Sequence, residues 1–173
     1  MILGTLMCRL SGLGLRNITD EKYIDSGRAI IMTTLALKDG IIAYDTRVCA
    51  GNTISDDDFD KCIERKGVKF FIAGSTSDFE DFFDSFFANE NTTNRILNIH
   101  AFVLQDDILW EASVSDDKLF WKTVMDTKKP AAGGTGSDHA LTAMDMGATA
   151  KEAIKWAMKR DCKTGGKIRT YKL

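Results

Sequence analysis

The sequence predicts an α+β protein made of stacked layers of sheet and helix. Three observations support this class: short β-branched runs joined by turn residues, apolar residues at helical spacing between those runs, and the order of the segments. That order is three strands, a helix, two strands, two helices and a last strand. The chain has 173 residues, a length that suits one domain with one core.

The first two strands are predicted as a hairpin. Residues 33–38 and 41–47 are rich in apolar and β-branched side chains, and Asp39-Gly40 lies between them. Gly readily adopts positive φ, so this pair is a strong turn signal. Counting outward from Asp39 places Thr33 opposite Asp45. We therefore expect a threonine and a carboxylate to meet at the open end of the hairpin.

The middle of the chain predicts a strand, a helix and a second hairpin. Residues 68–73 form an apolar run that ends at Gly74, and the spacing of Ser77 and Glu80 is that of a capping box at a helix start. Residues 99–104 and 108–114 flank a polar turn and are typical of paired strands. The helix carries an apolar stripe, which we assign to the core, formed by Phe79, Phe82, Phe83, Phe86 and Phe87.

The last third predicts two helices and a closing strand. Residues 138–146 form the first helix, and the second begins at a capping box made by Thr149 and Glu152 and runs to about residue 160. Residues 167–172 are a strand pattern. The glycine-rich segment before the first helix lacks the Gly-Lys-Ser/Thr ending of a phosphate loop, so we interpret it as a turn into that helix.

Composition excludes several classes of protein. The 23 Lys and Arg against 25 Asp and Glu give a net charge of −2, which argues against a nucleic-acid or membrane-surface partner. No apolar run approaches the ~20 residues of a membrane span. The four cysteines form no C-x-x-C pair and there are only two histidines, so no metal or other cofactor is expected. The positive charges near the amino terminus follow its apolar run instead of preceding it, which is a poor secretory signal.

From residue 33 onward, five blocks occur in an order that resembles the proteasome β subunits and the bacterial HslV protease. This family consists of N-terminal-nucleophile hydrolases with a threonine at the mature amino terminus. The resemblance implies a four-layer αββα sandwich, here shortened in the middle and in the hairpin that carries the nucleophile. The blocks are Thr33-Thr34, Asp45 within Ala-Tyr-Asp-Thr-Arg, Ile72-Ala73-Gly74, Gly134-Thr135-Gly136-Ser137 and the Arg160-to-Gly166 segment.

The resemblance also implies a set of catalytic residues. Thr33 corresponds to the nucleophile, and an active-site lysine held by an aspartate lies beside it. A glycine amide forms the oxyanion hole, and a second aspartate with two hydroxyl groups orients the amine and a water. Threonines replace the two serines that the family carries in the last group. The residues implied are Thr33, Asp45, Lys61, Gly74, Thr135, Asp161 and Thr164.

The chemistry of such a site requires a free amine at residue 33. A threonine hydroxyl needs a base to take its proton, and an α-amino group with a pKa of ~7.7 to 8.0 can serve near neutral pH. An amide nitrogen has no basic lone pair. Met32 followed by Thr33 is an ordinary substrate of methionine aminopeptidase, so we expect residues 1–32 to be an extension outside a mature domain of residues 33–173.

The sequence therefore predicts a cytoplasmic threonine endopeptidase that hydrolyses polypeptides through an ester on Thr33. By resemblance it forms a homo-oligomeric ring and can receive unfolded substrate from a separate ATPase unfoldase. Two alternatives remain open at this point: a small-molecule amidohydrolase with the same fold, and a catalytically silent structural subunit.

Overall fold

The computed structural model describes residues 33–173 and the backbone of Ile30 and Ile31. The helices are α1 (Phe79–Ala88), α2 (Ser137–Asp145) and α3 (Ala150–Ala157). The strands are β1 (Ile30–Ile31), β2 (Thr34–Lys38), β3 (Ile41–Asp45), β4 (Val48–Ala50), β5 (Thr53–Asp56), β6 (Cys62–Arg65), β7 (Val68–Ser75), β8 (Ile99–Gln105), β9 (Ile108–Val114), β10 (Phe120–Val124), β11 (Ala131–Gly134) and β12 (Ile168–Lys172).

The strands form two antiparallel sheets. The larger sheet has the order β10-β9-β8-β7-β1-β4-β5, and β6 pairs with the first half of β7. The smaller sheet has the order β11-β2-β3-β12. Both predicted hairpins, β2–β3 and β8–β9, are confirmed as paired strands.

Three apolar clusters join the layers. One lies between α1 and the larger sheet, where the phenylalanines of α1 surround Phe70 of β7. A second lies between the sheets and includes Leu35 and Phe102. The third lies between the smaller sheet and α2 with α3, and includes Ala36 and Ile154. The layers are therefore helix, sheet, sheet, helix, as expected.

The two predicted capping boxes have different outcomes. At α3 the box is present, because the Thr149 hydroxyl accepts from the Glu152 N–H and the Glu152 carboxylate accepts from the Thr149 N–H. The box predicted at Ser77 is wrong. A 3-10 turn over Thr76–Asp78 precedes α1, and the Ser77 hydroxyl instead contacts Ser75 and Asp78.

The register predicted for the first hairpin is wrong by one residue. Lys38 pairs with Ile41, and Leu35 pairs with Tyr44, because the turn contains both Asp39 and Gly40. Continuing this register places Thr34, not Thr33, opposite Asp45. Thr33 lies one residue beyond the paired part of β2.

All three apolar clusters are formed by described residues that follow Thr34. A chain that begins at Thr33 keeps all of these side chains and loses one described element, the two-residue β1. In the described part of the chain, no helix is long and apolar enough to cross a membrane.

Candidate active site

The residues predicted for the site meet at one end of the two sheets. Thr33 immediately precedes β2, and Asp45 is the last residue of β3. The end of β11 reaches the same place because Gly134 pairs with Thr34. The loop after α3 completes the site, since the Gly165 N–H donates to the Asp45 carboxylate.

Asp45 and Lys61 form a buried ion pair. Lys61 Nζ lies 3.0 Å from Asp45 Oδ1, and both side chains are fully buried. Three backbone N–H groups also donate to this carboxylate: Thr34 at 2.9 Å, Gly165 at 2.9 Å and Arg47 at 3.2 Å. Burial lowers the pKa of Lys61, and the attraction of Asp45 partly offsets that effect. The pair thus places within the site a lysine whose pKa lies below its ordinary value.

Asp161 connects the two threonines that replace serines. The hydroxyl groups of Thr135 and Thr164 each lie 2.6 Å from Asp161 Oδ2, and the Lys163 N–H donates to Oδ1 at 2.9 Å. Burial by itself would raise the pKa of Asp161, but these hydrogen bonds together outweigh it and lower the pKa. Asp161 is therefore held as an anion at neutral pH, and its lone pairs are directed at the hydroxyl groups.

Thr33 is held by its backbone while its hydroxyl is unused. Its carbonyl oxygen accepts from the Thr135 N–H at 3.0 Å. Gly134 makes this approach possible, because a Cβ on that residue would lie 1.7 Å from the same oxygen. The Thr33 Oγ1 atom is buried and has no hydrogen-bond partner among the described residues. Buried hydroxyl groups are usually paired, so one without a partner points to a functional reason for its presence.

Thr34 belongs to the same network, although it is not among the seven site residues predicted from the sequence. Its hydroxyl lies 2.6 Å from Thr164 Oγ1 and accepts from the Gly136 N–H at 3.1 Å. A continuous path therefore leads from Asp45 through Thr34 and Thr164 to Asp161. The one available signal was the hairpin register, because a two-residue turn places Thr34 opposite Asp45.

Gly74 is the last residue but one of β7. Its φ of +135° is one that side-chain-bearing residues rarely adopt, and a Cβ there would lie 1.9 Å from the Asn98 carbonyl oxygen. Gly74 pairs with Ile31, two residues before Thr33. The neighbouring residue Ile30 pairs with Ser75 of β7 and with Cys49 of β4. An extended segment of the chain thus fills the gap between β7 and β4.

The seven predicted residues are accordingly arranged in two groups. Six of them are linked by hydrogen bonds, directly or through Thr34: Thr33, Asp45, Lys61, Thr135, Asp161 and Thr164. Gly74 is connected to Thr33 through the β1 segment.

A separate groove of about 560 Å³ lies between α2 and α3. It is lined in part by His139, Met146, Trp156 and Arg160, and it includes none of the seven predicted site residues. In the described part of the chain, no three His, Cys, Asp or Glu side chains are grouped where they could hold a metal ion.

Comparison with solved structures shows the same fold. Thiobacillus denitrificans BPH in complex with epoxomicin superposes with a TM-score of 0.58 at 16% sequence identity, covering 82% of this chain and 97% of that chain. A second structure of T. denitrificans BPH gives a TM-score of 0.57 at 17% identity, with the same coverage of both chains. Eukaryotic HslV from Trypanosoma brucei gives 0.58 at 18% identity, covering 80% of this chain and 97% of that chain.

These comparisons match the architecture described above. No protein-family model matches the chain, and no curated protein does so. At identities of 16% to 18% the similarity concerns the fold alone. The similarity covers 80% to 82% of this chain and 97% of each solved chain. The chain therefore has the four-layer αββα fold of the N-terminal-nucleophile hydrolase type, which it shares with HslV and BPH.

Proposed function

We propose that this protein is a threonine endopeptidase whose nucleophile is Thr33, active once residues 1–32 have been removed. The mature domain is then residues 33–173. The observation that carries this proposal is the buried Thr33 hydroxyl, which has no hydrogen-bond partner among the residues that the structure describes. The neighbouring Thr34 is bonded to the buried Asp45–Lys61 pair. A reactive hydroxyl kept free of hydrogen bonds beside a buried charge pair fits nucleophilic catalysis.

The reaction begins with proton transfer inside one residue. The free α-amino group of Thr33 takes the proton from Oγ1, and Oγ1 attacks the carbonyl carbon of the peptide bond. The Gly74 N–H stabilises the oxyanion that forms, a contribution of about 2.7 to 4 kcal/mol in comparable sites. The amine then gives its proton to the leaving amine, which leaves an ester on Thr33. Attack by water releases the second product and restores the hydroxyl.

Lys61 and Asp45 adjust the charge of this centre. A buried ammonium group near the amine disfavours a second positive charge, so the amine stays neutral and basic at lower pH than in water. Asp45 holds the lysine in place and balances its charge. Asp161 with Thr135 and Thr164 orients the amine and the hydrolytic water, because Asp161 accepts from both hydroxyl groups.

The substrate is an extended polypeptide that adds a strand between β7 and β4. The Ile30–Ile31 segment supports this mode, since it pairs with both strands next to Gly74. Backbone hydrogen bonds of this kind bind any sequence in an extended conformation. Removal of the segment would open the same gap for a substrate.

We predict that peptide hydrolysis appears only when Thr33 is the first residue. The full-length chain should be inactive on fluorogenic peptides, because an amide nitrogen cannot accept the Oγ1 proton, and the chain beginning at Thr33 should be active. The rate should rise with pH through the titration of the Thr33 amine, whose neutral base form dominates above its pKa. Lys61 places that rise below the ordinary α-amino pKa of ~7.7 to 8.0, because it disfavours the protonated amine. Peptide hydrolysis rates of both forms are measured from pH 5 to 9. The active form is also assayed with and without epoxomicin.

Three results would redirect this proposal. Equal activity of both forms, or a flat response across the pH range, would rule out the Thr33 amine as the base. Hydrolysis of small amides but not peptides would favour the amidohydrolase alternative. No activity on either substrate class would favour a silent structural subunit. Amino-terminal sequencing of protein from its natural source checks whether Thr33 is exposed.

The proposed assembly is a homo-oligomeric ring in the cytoplasm, supplied with unfolded polypeptide by a separate ATPase unfoldase. Support for self-association comes from two large apolar side chains, Met146 and Trp156, which line the groove between α2 and α3 and are exposed. Trp156 is 53% exposed and Met146 is 85% exposed. Apolar groups clustered on one face of a small protein usually mark a contact with another chain.

We predict that Trp156→Glu lowers the oligomeric mass of the full-length chain. A carboxylate in an apolar contact has to be desolvated, so association should weaken by about tenfold or more. Sedimentation velocity over a range of concentrations measures the change. Trp121→Glu is the matched control. Trp121 is also exposed, but it lies on β10 of the larger sheet, away from α2 and α3. An unchanged mass for Trp156→Glu would exclude this face from the assembly.

A further inference from the structure

The turn after Gly74 contains a carboxylate with no role in the mechanism above. Asp78 ends the 3-10 turn between β7 and α1, and it is fully buried. Burying an ionised carboxylate is costly, and such a group is weak evidence for stability alone. The contacts of Asp78 therefore need a more specific explanation.

Asp78 holds the backbone of Asn98 in place. Its Oδ2 atom accepts from the Asn98 N–H at 3.0 Å. Its Oδ1 atom accepts from the Ser77 hydroxyl at 3.3 Å and lies 3.7 Å from Arg95 Nη2. Asn98 immediately precedes β8, so the carboxylate determines where that strand begins.

The Asn98 carbonyl group lies against Gly74, the predicted oxyanion residue. The Asn98 carbonyl oxygen accepts from the Ser75 N–H at 2.8 Å. The same oxygen would lie 1.9 Å from a Cβ on Gly74, so the two backbones are in close contact. Ile99, the next residue, pairs with Gly74 across the sheet. The segment from Gly74 to Asp78 therefore contacts Asn98 at two points, the Asn98 carbonyl oxygen near Gly74 and the Asn98 N–H at Asp78.

We propose that Asp78 is a positioning residue of the peptidase site, which fixes the backbone of Asn98 and through it the orientation of the Gly74 N–H. This inference rests on the proposed function. Asp78 does not contact the substrate. It acts because Asn98 is bonded on one side to the carboxylate and on the other to the backbone that follows Gly74.

The test compares two substitutions at one position. In Asp78→Ala the Asn98 N–H loses its acceptor, so kcat should fall by about 10- to 100-fold, up to the loss seen when an oxyanion donor is removed, with KM changed by less than about threefold. Asp78→Asn keeps an oxygen acceptor and should restore kcat to within about fivefold of the unmodified protein. Both are measured with fluorogenic peptides on the chain that begins at Thr33.

Asp81→Ala is the matched control. Asp81 also pairs with Arg95 but lies one turn further along, on the partly exposed side of α1. Its kcat should stay within about twofold of the unmodified value, because a surface ion pair contributes little. A kcat for Asp78→Ala within the same range, or an Asp78→Asn variant as impaired as Asp78→Ala, would overturn the proposal.

Hydrogen exchange separates this inference from the proposed function. In the full-length Asp78→Ala chain, the Ser75 amide should exchange at least about tenfold faster, while the Phe102 amide in the middle of β8 stays protected. Unchanged exchange at Ser75 would refute the coupling even if the protein is a peptidase. An unmodified chain without peptidase activity would refute the proposed function and leave the exchange result to decide whether Asp78 positions Gly74.

Discussion

Replacing Thr33 by valine is expected to abolish peptide hydrolysis and leave the fold as stable as before. Valine keeps the branched shape and removes the hydroxyl, so no ester can form, and kcat should fall by a factor on the order of 10⁴ or more. Stability should not fall, because Thr33 Oγ1 has no hydrogen bond to any residue in the described part of the chain. Activity is measured on the chain beginning at Thr33, and the free energy of unfolding on the full-length chain.

Thr34→Val is the matched control for this prediction. The two threonines are adjacent and fully buried, but the Thr34 hydroxyl bonds to Thr164 and to the Gly136 N–H. Its removal leaves a buried N–H without a partner and should cost about 1 to 3 kcal/mol of stability. If Thr33→Val is destabilised as much as Thr34→Val, the Thr33 hydroxyl is structural and the peptidase proposal loses its main support.

The second large effect is expected at Lys61. Lys61→Met removes the ammonium group and leaves the Asp45 carboxylate fully buried without its countercharge. Breaking a buried ion pair on one side typically costs about 3 to 5 kcal/mol. Urea unfolding of the full-length chain measures this as a lower midpoint with an unchanged slope.

Lys69→Met provides the comparison for Lys61→Met. Lys69 pairs with Glu64 at the protein surface at 2.6 Å, where both side chains remain partly exposed. Exposed pairs contribute little to stability, so this variant should unfold close to the unmodified chain. A Lys61→Met variant no less stable than Lys69→Met would show that the buried pair is not needed for folding. Loss of activity at unchanged stability would assign Lys61 to catalysis alone.

The parts of the fold that the sequence predicts are those set by local chemistry. The β8–β9 hairpin, the phenylalanine stripe of α1 and the Thr149 capping box each depend on residues within a few positions of one another. The Ala131–Gly134 strand shows the opposite case. It is half glycine and has no strand propensity, and it is extended because it pairs with β2, almost a hundred residues earlier.

The site divides along the same line. Asp45, Lys61 and Asp161 could be named by resemblance, but their contacts depend on segments far apart in sequence. Thr34 was missed because its partners, Gly136 and Thr164, lie more than a hundred residues away. The error in register had a local cause, since treating Asp39 as the whole turn shifted the pairing by one residue.

The gap between β7 and β4 has the width of a single strand, which is the space that Ile30 and Ile31 occupy. A polypeptide bound there is held mainly by hydrogen bonds between main chains. Every residue except proline carries both the donor and the acceptor for such bonds. Selection by such a slot falls on shape: a helix, a hairpin or an intact globule is too thick to enter. Under the proposed function, what determines the fate of a target protein is how readily it loses its own structure, and the identity of its side chains comes second.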